Sequence, residues 1–135
     1  MAREMPYLRP PWIKRHLEPL LMTRLPGQPV LRVRGRASGR IRVVPVRPIG
    51  VGAVRYLVAL VGDTHWARNL RASGTAELVE HGTARTFRAV EVAGDERVAA
   101  VAEYLATSSY GPTIRLLTRR LPDPDDHPVF RIEPD

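Results

Sequence analysis

Between Pro29 and Glu91 the hydrophobic pattern has a period of two, cut into short runs by glycine turns. That pattern constrains the fold more than any other feature, because alternation places successive side chains on opposite faces of a sheet. Leu31 and Val33 alternate with Arg32 and Arg34, the mark of a half-exposed strand over Val30–Arg34. A second strand is expected over Arg42–Ile49, and a third over Val54–Val61. The third is apolar on both faces, which suits a central position or an interface between copies. Thr75–Glu80 and Thr83–Val92 are joined by His81-Gly82, a tight hairpin signal. Val129–Ile132 reads as a last strand that must pair with an earlier one. Six strands in meander order result.

Helices are expected around these strands. Asp63 or Thr64 can cap a short helix ending near Gly74. Asp95, Glu96 and Arg97 open a helix through Thr107, with acids where the dipole favours them and Val98, Val101, Ala102 and Leu105 as its inner stripe. Tyr110–Leu121 reads as a second helical segment, before an acidic, Pro-rich connection over Pro122–His127. Residues 1–28 form a Pro-punctuated lead-in with a helix over about Pro11–Arg24. Its apolar face (Trp12, Ile13, Leu17, Leu20, Leu21, Leu25) suits docking on the barrel better than lying on a membrane surface. The expectation is one α+β domain over residues 1–135, with the barrel at 29–133, rather than a βαβ fold.

The turn between the first two strands is chemically distinctive. Gly35-Arg36-Ala37-Ser38-Gly39-Arg40-Ile41-Arg42 holds two glycines, a serine and three arginines in eight residues. Such a turn can form a concave nest of N–H groups, and arginine adds forked donors that fit phosphate or carboxylate. An ordinary hairpin with solvated arginines is the plainer alternative. The net charge of +7 and pI of about 10.9 favour an anionic partner. Arginine number alone argues little, since Lys14 is the only lysine and the Ala-, Val- and Pro-rich composition resembles that of a GC-rich genome. A nucleic-acid partner is disfavoured, because only 6% of residues are aromatic and they do not interleave with the basic ones.

Several chemistries are argued against. Without cysteine there is no disulfide, thiolate metal site or Cys nucleophile. His16, His65, His81 and His127 stand far apart, so no metal is expected. The glycine turn lacks the third glycine of a dinucleotide fingerprint and the Lys-Ser/Thr of a P-loop. No Gly-x-Ser-x-Gly elbow occurs. No apolar run approaches a membrane span and no signal-peptide core opens the chain, so a cytoplasmic protein is expected. An anion turn without an evident nucleophile, base or metal suits a protein whose ligand supplies the chemistry.

Three ordered blocks carry a resemblance. Gly35-Arg36-x-Ser38-Gly39-x-x-Arg42-x-x-Pro45 resembles the signature of the deazaflavin-dependent nitroreductase family. Tyr56-Leu57-Val58-Ala59 with Gly62, then Trp66-x-x-Asn69-Leu70-x-Ala72, resembles its second block, and His127-Pro128-Val129-Phe130-Arg131-Ile132 its C-terminal strand. The resemblance covers about residues 28–133 and implies a split β-barrel of the FMN-binding split-barrel type. It also implies reduced coenzyme F-420, a deazaflavin with a phosphate and an oligoglutamate tail, as hydride donor. Arg36, Ser38, Gly39 and Arg42 would then hold the phosphate end. The backbone of Ala59, Leu60, Val61 and Gly62 would lie along the ring, with Trp66 and Asn69 closing the pocket. Ala37 departs from the lysine common in the family, and Arg40 would restore that charge; His65 stands where Asn or Asp is common.

Tyr110, beside Gly111-Pro112, is the candidate proton donor or substrate contact, against a plain packing role. The expected activity is hydride transfer to a small electron acceptor such as a quinone, enone or nitroaromatic. The alternatives are an FMN-dependent reductase, or a non-catalytic cofactor- or lipid-binding protein on the same barrel. Related barrels often dimerise, so a homodimer is compatible with the sequence, which does not fix the oligomeric state.

Overall fold

Pro45 and Pro48 break the expected second strand in two, and that break shapes the molecule. A computed structural model describes residues 28–60, 62–107 and 127–135. Its strands are β1 (Val30–Arg34), β2 (Ile41–Pro45), β3 (Ile49–Val51), β4 (Val54–Val58), β5 (Thr75–Glu80), β6 (Thr83–Val92) and β7 (Val129–Pro134). Helix α1 (His65–Ser73) lies between β4 and β5, and α2 (Gly94–Thr107) follows β6. Seven strands therefore replace the expected six among the described residues, because proline lacks the N–H that a continuous ladder needs. The third strand stops at Val58, short of the expected Val61.

The strands form one antiparallel sheet in the order β2-β1-β5-β6-β7-β4-β3. This is not a plain meander. The hairpins β1–β2, β3–β4 and β5–β6 are present, but β7 inserts between β6 and β4. The two end strands of this order, β2 and β3, are separated in sequence by only Val46, Arg47 and Pro48. A flat sheet would hold them about 29 Å apart, at about 4.8 Å per strand. Four residue steps span at most about 14 Å. The sheet must therefore curl until its ends meet, the half-barrel that the split-barrel expectation requires. The Arg55–Glu80 ion pair at 2.7 Å crosses from β4 to β5, three places apart in the sheet, and records the same curl.

Each face of the sheet has its own core. Leu31, Val33, Leu57, Leu78, Phe87 and Phe130 lie on the concave face and pack with Ala67 and Leu70 of α1. Ile49, Tyr56, Val58, Val92 and Val129 lie on the other face, beneath Ala100, Val101 and Tyr104 of α2. β4 serves both cores, which is why its sequence is apolar on both sides. Its residues Tyr56, Leu57 and Val58 are all buried.

The helices follow their caps. Thr64 accepts the N–H of Ala67 at 3.3 Å, and Gly74 ends α1 in a left-handed conformation with φ 76°. Thr64, rather than Asp63, is thus the capping residue. Helix α2 is turned by one position from the expected stripe. Its buried residues are Arg97, Ala100, Val101 and Tyr104, while Val98 is 46% exposed and Ala102 is exposed too. The reason is that two polar-ended side chains are buried by their apolar parts. Arg97 Nε donates to the Val92 carbonyl at 3.0 Å, and the Tyr104 ring lies 4.3 Å beneath the Arg47 guanidinium. The expected helix at Pro11–Arg24 and the segment Tyr110–Leu121 lie outside the described residues.

Candidate cofactor site

The Gly35–Arg40 turn is closed by its own backbone. Gly35 N donates to Arg40 O at 2.7 Å, and Gly39 N donates to Gly35 O at 2.9 Å. Gly39 has φ 72°, a conformation that costs glycine nothing. At Gly35 the limit is space: a Cβ would come within 3.1 Å of Ser38 Oγ and 3.2 Å of Arg40 O. The Ser38 hydroxyl accepts the N–H of Arg40 at 3.2 Å. The N–H groups of Gly35, Arg36, Gly39 and Arg40 are thus used within the protein. The part of the turn that faces outward is mainly its side chains.

Helix α1 pins this turn. Asn69 is buried, and its Oδ1 accepts from Arg36 N at 3.1 Å and from Arg36 Nη1 at 2.7 Å. Arg36 Nη2 lies 3.4 Å from His65 Nδ1. The structure thereby joins the first sequence block to the second, across 33 residues. Asn69 fixes Arg36 without neutralising it, because a carboxamide carries no charge. Arg42 stands opposite Val33 in the β1–β2 register, so it belongs to the concave face, and its Cγ lies 3.6 Å from where a Gly35 Cβ would sit. Arg42 is exposed where Val33 is buried, which puts it at the rim of the concave face. Arg34, Arg40 and Arg42 make no ion pair among the described residues.

The other expected residues divide clearly. Ala59 and Leu60 are buried on the approach to α1, with Ala59 N donating to Pro128 O at 2.8 Å. Gly62 has φ 101°, and its carbonyl accepts Thr64 N at 2.8 Å. This segment delivers the N-terminus of α1, and His65 with it, to the arginine turn. Trp66 is half-buried and packs against Phe130 at 6.3 Å between ring centroids, so its ring joins the concave core. Pro45 pairs with Val30 at the far end of β2, on the face opposite Arg42. The structure does not bring it to the turn. Val61 and Tyr110 lie outside the described residues.

Two features away from the turn were not anticipated. Arg47, between β2 and β3, donates to the carbonyls of Tyr104 at 2.8 Å and Thr107 at 3.1 Å, capping the C-terminus of α2. Under the same helix Tyr56 Oη donates to Glu96 at 2.9 Å, Arg131 binds Glu96 at 2.8 Å and Glu133 at 3.0 Å, and Arg88 binds Glu133 at 2.6 Å. Arg131, then Tyr56, holds the Glu96 carboxyl below the usual carboxylate range. Arg88, then Arg131, does the same for Glu133. Burial, then the bond to Glu96, pushes the Tyr56 phenol up. Strand parity alone puts Tyr56, Arg131 and Arg88 on one face, but only the packed helix shows that Glu96 meets them.

The donor set fits an anionic cofactor. Among the described residues the rim arginines lack acidic partners, one more is held by a neutral amide, and the turn leaves little room for a side chain at Gly35. Forked donors held in this way bind and orient an anion. The fold is shared with solved proteins of several kinds. An F420-H2 dependent reductase, FDR-A, is 21% identical with a TM-score of 0.60, over 78% of this chain and 92% of that one. A protein described as a domain-swapped dimer is 23% identical with a TM-score of 0.59, over 90% and 97%. HutZ, a haem storage protein from Vibrio cholerae, is 16% identical with a TM-score of 0.55, over 93% and 89%. A fold that serves such different ligands does not itself choose one. No curated protein matches the chain. The choice comes from sequence: the family model for F420H(2)-dependent quinone reductase matches residues 10–113, which span the arginine turn, α1 and α2, and the chain belongs to that family.

Proposed function

We propose that this F-420-dependent reductase holds the phosphate end of its cofactor on the Gly35–Arg42 turn and passes reducing equivalents to a small, apolar electron acceptor of the quinone, enone or nitroaromatic class. The observation that carries the reading is Arg36 fixed by the neutral Asn69, beside Arg42 and Arg40, which have no acidic partner among the described residues. When bound, the reduced deazaflavin supplies the hydride. The protein's own part is to orient and to exclude water. Arg36 and Arg42 offer forked, charge-assisted donors to the phosphate. The N-terminus of α1 adds a partial positive charge beside them. The half-buried Trp66, on the concave core with Ala59, offers an apolar surface on which a planar ring can rest, and a dry surface limits loss of hydride equivalents to solvent. Tyr110 remains the proposed proton donor, on its position in the sequence.

A small-molecule acceptor and a cytoplasmic setting belong to this proposal, as does a homodimer. No helix among the described residues is long and apolar enough to cross a membrane.

The test is a fluorescence titration of the full chain with coenzyme F-420, FMN and FAD, followed by steady-state oxidation of reduced F-420 with menadione. Micromolar or tighter F-420 binding that weakens as salt rises is expected, because partly exposed ion pairs are screened. Preferential FMN binding would overturn the cofactor assignment. Tight F-420 binding without turnover on any quinone, enone or nitroaromatic would overturn the acceptor class.

A further inference from the structure

The half-barrel has a second mouth, at the end away from the arginine turn. There β5 turns into β6 through His81 and Gly82, whose φ values are 49° and 79°. A cavity of about 350 Å³ opens at this end, lined by Arg55, Leu78, Glu80, His81, Thr83 and Arg85. Leu78 pairs with Arg85 and Glu80 with Thr83 in the β5–β6 register, so all four side chains belong to the concave face. Leu78 is buried in the concave core and gives the cavity an apolar floor. Arg55 reaches in from β4, so the half-open cavity is bounded by the curl of the sheet and not by one hairpin.

The charges are unevenly spent. Arg55 donates to both oxygens of Glu80, at 2.8 and 2.7 Å, and that pair neutralises itself. Arg85 makes no hydrogen bond or close ion pair among the described residues, and its charge reaches Glu80 only through space, after that of Arg55 and His81. A guanidinium over an apolar floor, beside a self-neutralised pair, suits an oxyanion carried on an apolar body. Size selects further. The volume is that of a small organic ligand, since such pockets start at about 300 Å³. A bare inorganic anion would leave most of it unfilled. Mouths of β-barrels are recurrent ligand positions. The span of β5, Thr75–Glu80, separates this mouth from the α1 end of the barrel by about 17 Å.

We propose that this second mouth binds a small organic carboxylate, with the carboxylate on Arg85 and the apolar body over Leu78. The site is independent of the cofactor site, and its test does not require cofactor. The probe is benzoate, with inorganic phosphate as the contrasting anion, titrated into the full chain. Binding is read from backbone amide resonances of residues 81–85 by NMR. Saturable shifts in the millimolar range are expected with benzoate, and much weaker ones with phosphate. Arg85→Met should weaken benzoate about tenfold, the order expected for one charged hydrogen-bonding group. Arg85→Lys should fall between, keeping charge and losing the fork, and Arg42→Met should leave benzoate binding unchanged. Arg85 is exposed, so an unchanged melting temperature certifies the variants. Absence of saturation would overturn the site. Phosphate binding as tight as benzoate would overturn the organic ligand, and loss of benzoate in Arg42→Met with survival in Arg85→Met would return the anion to the glycine turn.

Discussion

The arginines under α2 and the arginines of the glycine turn are the same residue put to opposite uses. Under α2, Arg131 is shared between Glu96 and Glu133, and Glu133 is shared in turn with Arg88. On α1, Arg71 divides itself between Asp63 and Glu91, and the Glu91 bonds above all hold its proton more tightly than in an ordinary arginine. At the turn, Arg36 is held by a carboxamide, and Arg42 by no acid among the described residues. Paired arginine fixes the positions of elements. Unpaired arginine that is held still retains its charge for a ligand. The identity of the partner, acid or amide, separates a structural cation from a binding one.

The largest expected effect breaks this comparison at its centre. Arg36→Ala and Arg42→Ala should each weaken F-420 binding about ten- to a hundredfold, since charged hydrogen bonds contribute about 1.5–3 kcal/mol. Arg131→Ala should do the reverse, lowering the melting temperature and leaving cofactor affinity within about twofold, because its partners are all structural. Fluorescence titration beside thermal unfolding separates the two. Equal loss of affinity in all three variants would mean that the turn acts only through overall stability.

A smaller effect sharpens the role of the amide. Asn69→Asp would give Arg36 an acidic partner without changing the size of the side chain. Arg36 should then behave as the acid-paired arginines do. Cofactor affinity should fall about two- to fivefold, the scale of a partly exposed ion pair competing for the same guanidinium. The fold should survive, since the aspartate oxygen can still accept from Arg36 N and Nη1. Tighter binding in this variant would show that Asn69 does not act by leaving Arg36 its charge.

Much of this was legible in the sequence where the cause is local. Thr64 and Gly74 bound α1 because capping is decided within a few residues. His81-Gly82 makes its hairpin because both residues must take positive φ, which the glycine does freely and the histidine tolerates. The residue types of the turn were legible too. What was not legible is what distant elements decide. The phase of α2 depends on Arg97 finding the Val92 carbonyl and on Tyr104 lying under Arg47, and a stripe picked from Val, Ala and Leu passes over both. Arg36 and Asn69 each look like ligand residues in sequence, and their mutual bond appears only when α1 is packed on β1. The placement of β7 inside the sheet is likewise a matter of which edge is free, and its own six residues do not say.

The smallest effect is a pH window set by the partnered side of the comparison. Glu96 is held below its ordinary value by Arg131 and Tyr56, and Tyr56 is pushed above its own by burial and by Glu96. A carboxylate with a lowered folded pKa contributes stability that is present above the unfolded value, about 4.3, and lost as pH falls through the folded one. A phenol with a raised folded pKa contributes stability that is present below the unfolded value, about 10, and lost as pH rises through the folded one. The network should therefore stabilise the fold on a plateau from about pH 5 to about pH 9.5, with an acid limb and an alkaline limb. Glu96→Gln should flatten part of the acid limb. Tyr56→Phe should flatten part of the alkaline limb and cost about 1 kcal/mol on the plateau, for the lost hydrogen bond. Urea unfolding across this pH range measures both. Cofactor affinity on the plateau should be the same in either variant, since neither side chain touches the turn; a loss in Tyr56→Phe would mean that the β4 approach to Ala59 and Leu60 couples the two regions after all.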